Sequence, residues 1–281
     1  MPTSHTLAST FTVEGVGLHS GLASRVTVRP CSQGGRVFHC AGTKVPALVD
    51  YVSDTRRSTT LERDGVSVRT VEHLLAALWL AGIDHADIEV DGPELPALDG
   101  SARPWHAAIL AAGVRPLTEE APVYRVPGPQ WIEEGASQFL LCPGAEPALY
   151  AALDIPDTVA VRMMAGGLLT DAEVCAQIVR ARTFALEVEV QALRDAGLAR
   201  GGSLENAVVL TRDGFLNDHV WPAEPAWHKV LDFAGDLALT GVRVCGTLLA
   251  MRGGHRSHVA LARMLRAAWQ ASCPETAGAE T

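Results

Sequence analysis

Two segments of the chain carry titratable residues at spacings that suit metal and acid–base chemistry. In Thr70-Val71-Glu72-His73-Leu74-Leu75 a carboxylate and an imidazole stand side by side at the start of an otherwise apolar run. Adjacent helical residues point about 100° apart, so Glu72 and His73 would serve neighbouring positions, as a carboxylate base beside a metal ligand does. The competing reading is a solvated first helical turn, with Glu72 favoured by the positive helix end. In His228-Lys229-Val230-Leu231-Asp232, followed by Asp236, residues four apart share a helix face. His228 and Asp232 converge there and can chelate one divalent ion, zinc being the usual occupant of a two-His, one-carboxylate set. Polar residues striped among Val230, Leu231, Phe233, Ala234 and Leu237 are costly to bury unless something pairs them. The alternative is an exposed face with a helix ion pair.

Two weaker signals follow. Gly253-Gly254-His255 suggests a glycine loop between a strand and a helix, where backbone approaches a ligand closely and His255 acts as acid or base near neutral pH. A loop histidine can equally be solvated. In Ala181-Arg182-Thr183-Phe184, Thr183 could donate to a developing oxyanion, or simply cap a helix end. Gly15-Val16-Gly17 and Gly201-Gly202-Ser203 match neither a Walker A nor a dinucleotide fingerprint. His5, His39, His85, His106, His219 and His258 show no ligand spacing and receive no role.

The elements that must position these residues follow from pattern and punctuation. Ala23 to Val28, Arg36 to His39, Ser67 to Arg69 and Ala86 to Val90 alternate like strands. Thr70 can cap a helix over about 71–81 that Gly82 ends, and Asp99-Gly100-Ser101 opens a second, with Pro104 in its first turn and Gly113 at its end. The Pro- and Glu-rich stretch from Leu117 to Gln130 carries no helical period, which puts a domain boundary near Glu120. Beyond it, strands are expected at Val123 to Ile132, Gln138 to Cys142, Ala148 to Leu153 and Val242 to Met251. Helices are expected at Asp171 to Val179, Leu186 to Ala196, Trp227 to Leu239 and Val259 to Gln270, with a frayed tail from Pro274. Helix, Gly, strand, Gly-rich loop, helix occurs once per half. The expectation is an α+β fold of two related domains, residues 1–120 and 121–281, each a β-sheet packed with helices.

Composition bounds the function. The 281 residues are 48% hydrophobic and 20% charged, which excludes a mostly disordered chain. A formal net charge of −9 supplies no basic face for nucleic acid. The six cysteines form no C-x-x-C pair, so a reduced compartment fits better than a disulfide framework. Met1 to Thr12 lacks the basic and apolar regions of a signal peptide. The longest apolar stretch, Leu74 to Ile83, is about half the roughly 20 residues that span a bilayer. A cytoplasmic protein without stable membrane insertion is expected.

Taken together, Gly15-Val16-Gly17-Leu18-His19-Ser20-Gly21, Thr70-Val71-Glu72-His73-Leu74, Leu98-Asp99-Gly100-Ser101, Ala181-Arg182-Thr183-Phe184, Gly201-Gly202-Ser203-Leu204-Glu205-Asn206, His228-Lys229-Val230-Leu231-Asp232, Gly235-Asp236-Leu237 and Gly254-His255 occur in this order. That ordered set, over about residues 6 to 270, resembles the UDP-3-O-acyl-N-acetylglucosamine deacetylase family of lipid A biosynthesis. The resemblance implies a zinc-dependent amide hydrolase, working as a monomer on a UDP-linked acylated glucosamine and releasing acetate, with its active site at the domain interface. It makes His73, His228 and Asp232 the zinc ligands and Glu72 the general base. His255 becomes the protonated partner, oriented by Asp236, and Thr183 holds the oxyanion. Lys229, Phe184, His19 and Asp99 fall to the substrate, and an apolar acyl passage to about Phe184–Leu204.

Three departures concern the substrate rather than the zinc set. Trp227 stands where the family commonly has Arg, Arg256-Ser257-His258 replaces the usual Ala-Leu-Asn, and Glu187 to Arg200 is rich in Ala and Glu. Two alternatives keep part of the reading: a zinc deacetylase of another N-acetylated sugar or nucleotide sugar, and a non-catalytic binding paralogue. A binding protein has little use for both an acid and a base, which counts against the second.

Overall fold

Alternating burial builds the first sheet in the computed structural model, which describes residues 2–159 and 162–272. Ser24, Val26 and Val28 face inward from Ala23–Pro30, as do Ala86, Ile88 and Val90 from Ala86–Asp91, while their neighbours face out. The five strands lie in the order Phe11–Val16, Ala23–Pro30, Ala86–Asp91, Arg36–Cys40, Thr43–Pro46. The late strand Ala86–Asp91 sits in the middle, antiparallel to Ala23–Pro30 and parallel to Arg36–Cys40.

The second half repeats this plan. Its order is Gln130–Glu134, Ser137–Cys142, Arg243–Met251, Pro147–Leu153, Met163–Leu168. Arg243–Met251 is again the late central strand, antiparallel to Ser137–Cys142 and parallel to Pro147–Leu153. The expected strand from Val123 to Ile132 is broken in two. Val123–Arg125 pairs with the start of Arg243–Met251, and the chain resumes at Gln130–Glu134 after Pro127, Gly128 and Pro129. A proline offers no N–H to a sheet, so the break is the expected cost of that segment.

Six α-helices lie among the described residues: α1 (Glu72–Leu80), α2 (Arg103–Ala112), α3 (Ala172–Arg180), α4 (Glu187–Asp195), α5 (Glu224–Leu237) and α6 (His255–Ser272). In each half one α-helix comes last before the central strand and one follows it: α1 and α2 in the first, α5 and α6 in the second, where α3 and α4 come earlier. Thr70 does not cap α1. Its backbone is left-handed (φ 58°), and its hydroxyl donates to Glu94 instead. One continuous apolar cluster joins both halves, running from Val26, Phe38 and Leu74 to Phe139, Phe233 and Leu248. The tail from Pro274 lies outside the described residues. Among the described residues no helix is long and apolar enough to cross a membrane.

Candidate active site

Helices α1 and α5 cross in close contact. From Glu72 to Leu78, α1 is buried on every side, so its first turn is not a solvated one. Glu72 and His73 are 3% and 7% exposed. On α5 the stripe of His228, Asp232 and Asp236 is buried too, at 3%, 3% and 0%, which removes the exposed-face reading. Gly235 lets the helices meet there. A Cβ at that position would collide with the backbone carbonyl of Glu72. Glycine inside a helix costs roughly 1 kcal/mol against alanine, a cost offset here by the close approach.

The crossing brings three metal-binding donors together. His73, His228 and Asp232 each offer one ligand atom, all within 4.8 Å of one another. Nδ1 of His228 is 3.0 Å from the carbonyl of Ala181, which accepts its hydrogen and leaves Nε2 to face Asp232 Oδ1 at 3.2 Å. A ring oriented through its second nitrogen is the usual arrangement of a metal-ligating histidine. Burial, with His228 alongside, pulls His73 down to about 3, so its ring is neutral and has a lone pair to give. Burial alone would raise Asp232, but Lys229 Nζ at 2.9 Å and His228 outweigh it and hold the carboxylate ionised. The neutral ring of His73, the ring of His228 turned by its Nδ1 hydrogen bond and the Asp232 carboxylate, buried and convergent, fit a divalent cation.

Acid and base groups stand beside these donors. Burial, joined by Asp236 and Asp232, pushes Glu72 up to about 7, while the backbone N–H of Thr59 donates to its Oε2 at 3.1 Å. His255 Nε2 faces Glu72 Oε1 at 4.0 Å. Burial pulls His255 down, but Asp236, whose Oδ2 accepts from its Nδ1 at 2.9 Å, and Asp232 raise it to about 9. His255 opens α6, contrary to the loop placement expected from its glycines.

A cavity of about 660 Å³ opens onto this cluster and is walled by residues of both halves. Its walls include Glu72, His73, Thr183, His228, Asp232 and His255. Thr183 is not a helix cap, since α3 has already ended. Its backbone is pinned on both sides, N–H to Gly100 and C=O to Val208, and its hydroxyl has no partner among the described residues. Phe184 also lines the cavity, its ring 6.1 Å from His228, with Lys229 Nζ 5.6 Å from the ring centre. His19 lines it too, with its backbone N–H held by Glu94 at 2.9 Å. Asp99 is not on the wall. Its carboxylate accepts from Ser101 and Arg103, tying the loop that carries Gly100.

Three further residues surround the site that received no role from the sequence. Thr59 donates from its hydroxyl to Asp236 at 2.6 Å, across 177 positions of chain, and from its backbone to Glu72. Glu94 gathers the N–H groups of His19 and Ser20 and the hydroxyl of Thr70. His258 lies 3.0 Å from Asp236 through Nδ1. Thr59 and Glu94 stand in no motif and act only through distant contacts. For His258, a substitution within an otherwise familiar run was the available hint.

Comparison with known proteins bears on this arrangement. A profile of the LpxC family, described as UDP-3-O-acyl N-acetylglycosamine deacetylase, matches residues 4–267. A protein of Thermosynechococcus vestitus named UDP-3-O-acyl-N-acetylglucosamine deacetylase is 40% identical over 269 residues, covering 94% of each chain. Proteins of the same name from Myxococcus xanthus and a Nostoc species are 40% and 37% identical. The first alignment covers 92% of this chain and 84% of the relative, and the second covers 94% and 98%.

Proposed function

Because the chain belongs to the LpxC family of UDP-3-O-acyl N-acetylglycosamine deacetylases, we propose that it hydrolyses the 2-acetamido group of UDP-3-O-acyl-N-acetylglucosamine, a step of lipid A biosynthesis. The observation that carries this reading is the buried set of His73, His228 and Asp232 on the wall that also presents Glu72 and His255. These three residues would hold zinc. Zinc bound there supplies Lewis acidity that polarises an amide carbonyl and brings the pKa of water towards about 7.

The remaining chemistry belongs to the chain. Glu72 accepts a proton from the attacking water, and the Thr59 N–H keeps its carboxylate aimed. As the water oxygen bonds to the acetyl carbon, negative charge gathers on the carbonyl oxygen. The hydroxyl of Thr183, without a partner among the described residues, and the protonated ring of His255 stabilise that charge. The C–N bond then breaks, His255 passes its proton to the leaving amine, and acetate departs. Asp236 orients His255 throughout. Lys229, Phe184 and His19 contact the substrate from the cavity wall, and Asp99 acts through the loop that holds Thr183. Exposed α4, with Val188 at 85% and no buried residue, borders the proposed acyl passage. We read the two sheets as two domains meeting near Glu120, in a monomer of the cytoplasm.

The test pairs metal analysis of the purified protein with acetate release from UDP-3-O-acyl-N-acetylglucosamine. One zinc per chain with acetate released supports the reading. Zinc without release would move it to another N-acetylated sugar, and neither would leave a binding protein.

A further inference from the structure

We infer that His258 is a positioning residue for His255, acting through the carboxylate they share. The kinetic consequences rest on the deacetylase reading above. The geometry does not. Asp236 is fully buried and accepts three hydrogen bonds: Thr59 Oγ1 on Oδ1 at 2.6 Å, with His255 Nδ1 at 2.9 Å and His258 Nδ1 at 3.0 Å both on Oδ2. A carboxylate held ionised, as this one is by His255 and His258 against its burial, can only accept. Both Nδ1 atoms therefore carry hydrogen. Thr59 fixes one end of the carboxylate and His258 the other, so the bond to His255 cannot swing. That bond in turn sets the direction of His255 Nε2 towards Glu72.

The ring of His258 is itself immobilised. It is 1% exposed, lies 4.8 Å from the ring of Phe233 and meets Phe139 edge-on at 6.2 Å. Gly253 leaves it room, since a Cβ there would collide with His258 Nε2. His258 is absent from the cavity wall that His255 helps to form, so it supports the acid rather than touching substrate. Burial, with Lys229 and His255 nearby, outweighs Asp236 and keeps His258 neutral. It is thus a fixed dipolar donor. The asparagine Nδ2 and the histidine Nδ1 are both bonded to Cγ, so either side chain can present a donor at the same place.

His255 also faces Glu72 from α1 and Asp232 from α5, with His19 and His73 near it. Against that background, removing the His258 N–H should change two things. Asp236 is left with more negative potential for His255, so the alkaline limb of the kcat profile should move up, by about half a pH unit. The carboxylate is also freed to rotate, so kcat should fall about tenfold or more with KM little changed. His258→Phe keeps the packing on Phe233 and loses the donor, whereas His258→Asn keeps the donor. The Phe variant should show both effects at unchanged metal content, and the Asn variant neither. A Phe variant with wild-type kcat and limb, or a folded Asn variant as impaired as Phe, would overturn the inference. If the Phe variant does not fold, the Asn variant decides: a wild-type profile supports the donor role and a displaced limb refutes it. If the wild-type protein releases no acetate, the deacetylase reading fails separately. An NMR titration of the His255 ring in the three proteins then tests His258, and an unchanged titration in the Phe variant would sink it.

Discussion

Burial moves the pKa values of Glu72 and His73 in opposite directions, up to about 7 for the carboxyl and down to about 3 for the imidazole. The carboxylate is therefore poised to exchange a proton, and the imidazole to stay neutral and bind metal. Their variants should fail differently. His73→Ala, like His228→Ala or Asp232→Ala, removes one of three donors, so metal content and turnover should fall together. Glu72→Gln keeps the shape and all three donors. It should retain one metal per chain and substrate affinity while kcat drops about 10²- to 10⁴-fold. Loss of metal from the Gln variant would make the carboxylate a ligand. The pH profile tests the partner. In the proposed mechanism turnover needs Glu72 ionised, so it should rise as pH passes the carboxyl's pKa, and it needs His255 protonated, so it should fall above that of the imidazole. Without a cation these lie near about 7 and about 9. A divalent charge alongside favours the less protonated form of both and can only lower them. The kcat/KM profile should be bell-shaped with limbs at or below those values. A profile that keeps climbing through alkaline pH would remove His255 as the acid.

The crossing of α1 over α5 transmits changes at Gly235 to Glu72. Gly235→Ala would gain about 1 kcal/mol of helix propensity, but its Cβ meets the Glu72 backbone, which has no rotamer with which to move aside. Overpacking of this kind costs about 1–3 kcal/mol, so thermal stability should fall and turnover with it, because the displaced backbone carries Glu72, the proposed base. Gly128→Ala, with nothing within 4 Å, is the control and should do neither. Wild-type behaviour of both variants would mean that the helices separate freely. These helices were legible beforehand because their signals are local. Apolar runs, Pro104 near a helix start and closing glycines place α1, α2, α3, α4, α5 and α6 to within a few residues, apart from the early starts of α5 and α6. The strand Val114–Glu120 was not legible. It is almost wholly exposed, so it has no alternation, and its partner is Thr3–Leu7 at the other end of the first half. Met163–Leu168, interrupted by Gly166 and Gly167, escaped for a similar reason. At the site, the residues that converge, Glu72, His73, His228, Asp232 and His255, were readable from helical spacing and motif order. Thr59 was not, because its function exists only where the fold brings it to Asp236.

Across the whole molecule, the two halves are fastened by charge and by a shared core. Arg243, on the central strand of the second sheet, donates to Asp84 at 2.6 and 2.9 Å and to the carbonyls of Thr3 and Gly82. From the other side, Arg36 donates to the carbonyl of Ala238 at 2.7 Å. The donor set adds a third fastening, with His73 supplied by α1 and His228 and Asp232 by α5. A metal bound there belongs to the folded state of both halves at once. A ligand present at 100 to 1,000 times its Kd stabilises the native state by about 2.7–4.1 kcal/mol. For a chain of this size that corresponds to roughly 5–10 °C in Tm. Chelation should lower Tm by about that amount while the protein still unfolds in one transition, because the core and the arginine contacts remain. His73→Ala should start near the lower Tm and respond little to chelator, having already lost its site. The check is calorimetry with and without chelator, metal content being measured on the same samples. If the metal leaves and Tm does not move, it was not held between α1 and α5. If chelation splits the transition in two, the metal, and not the core, is what joins the halves.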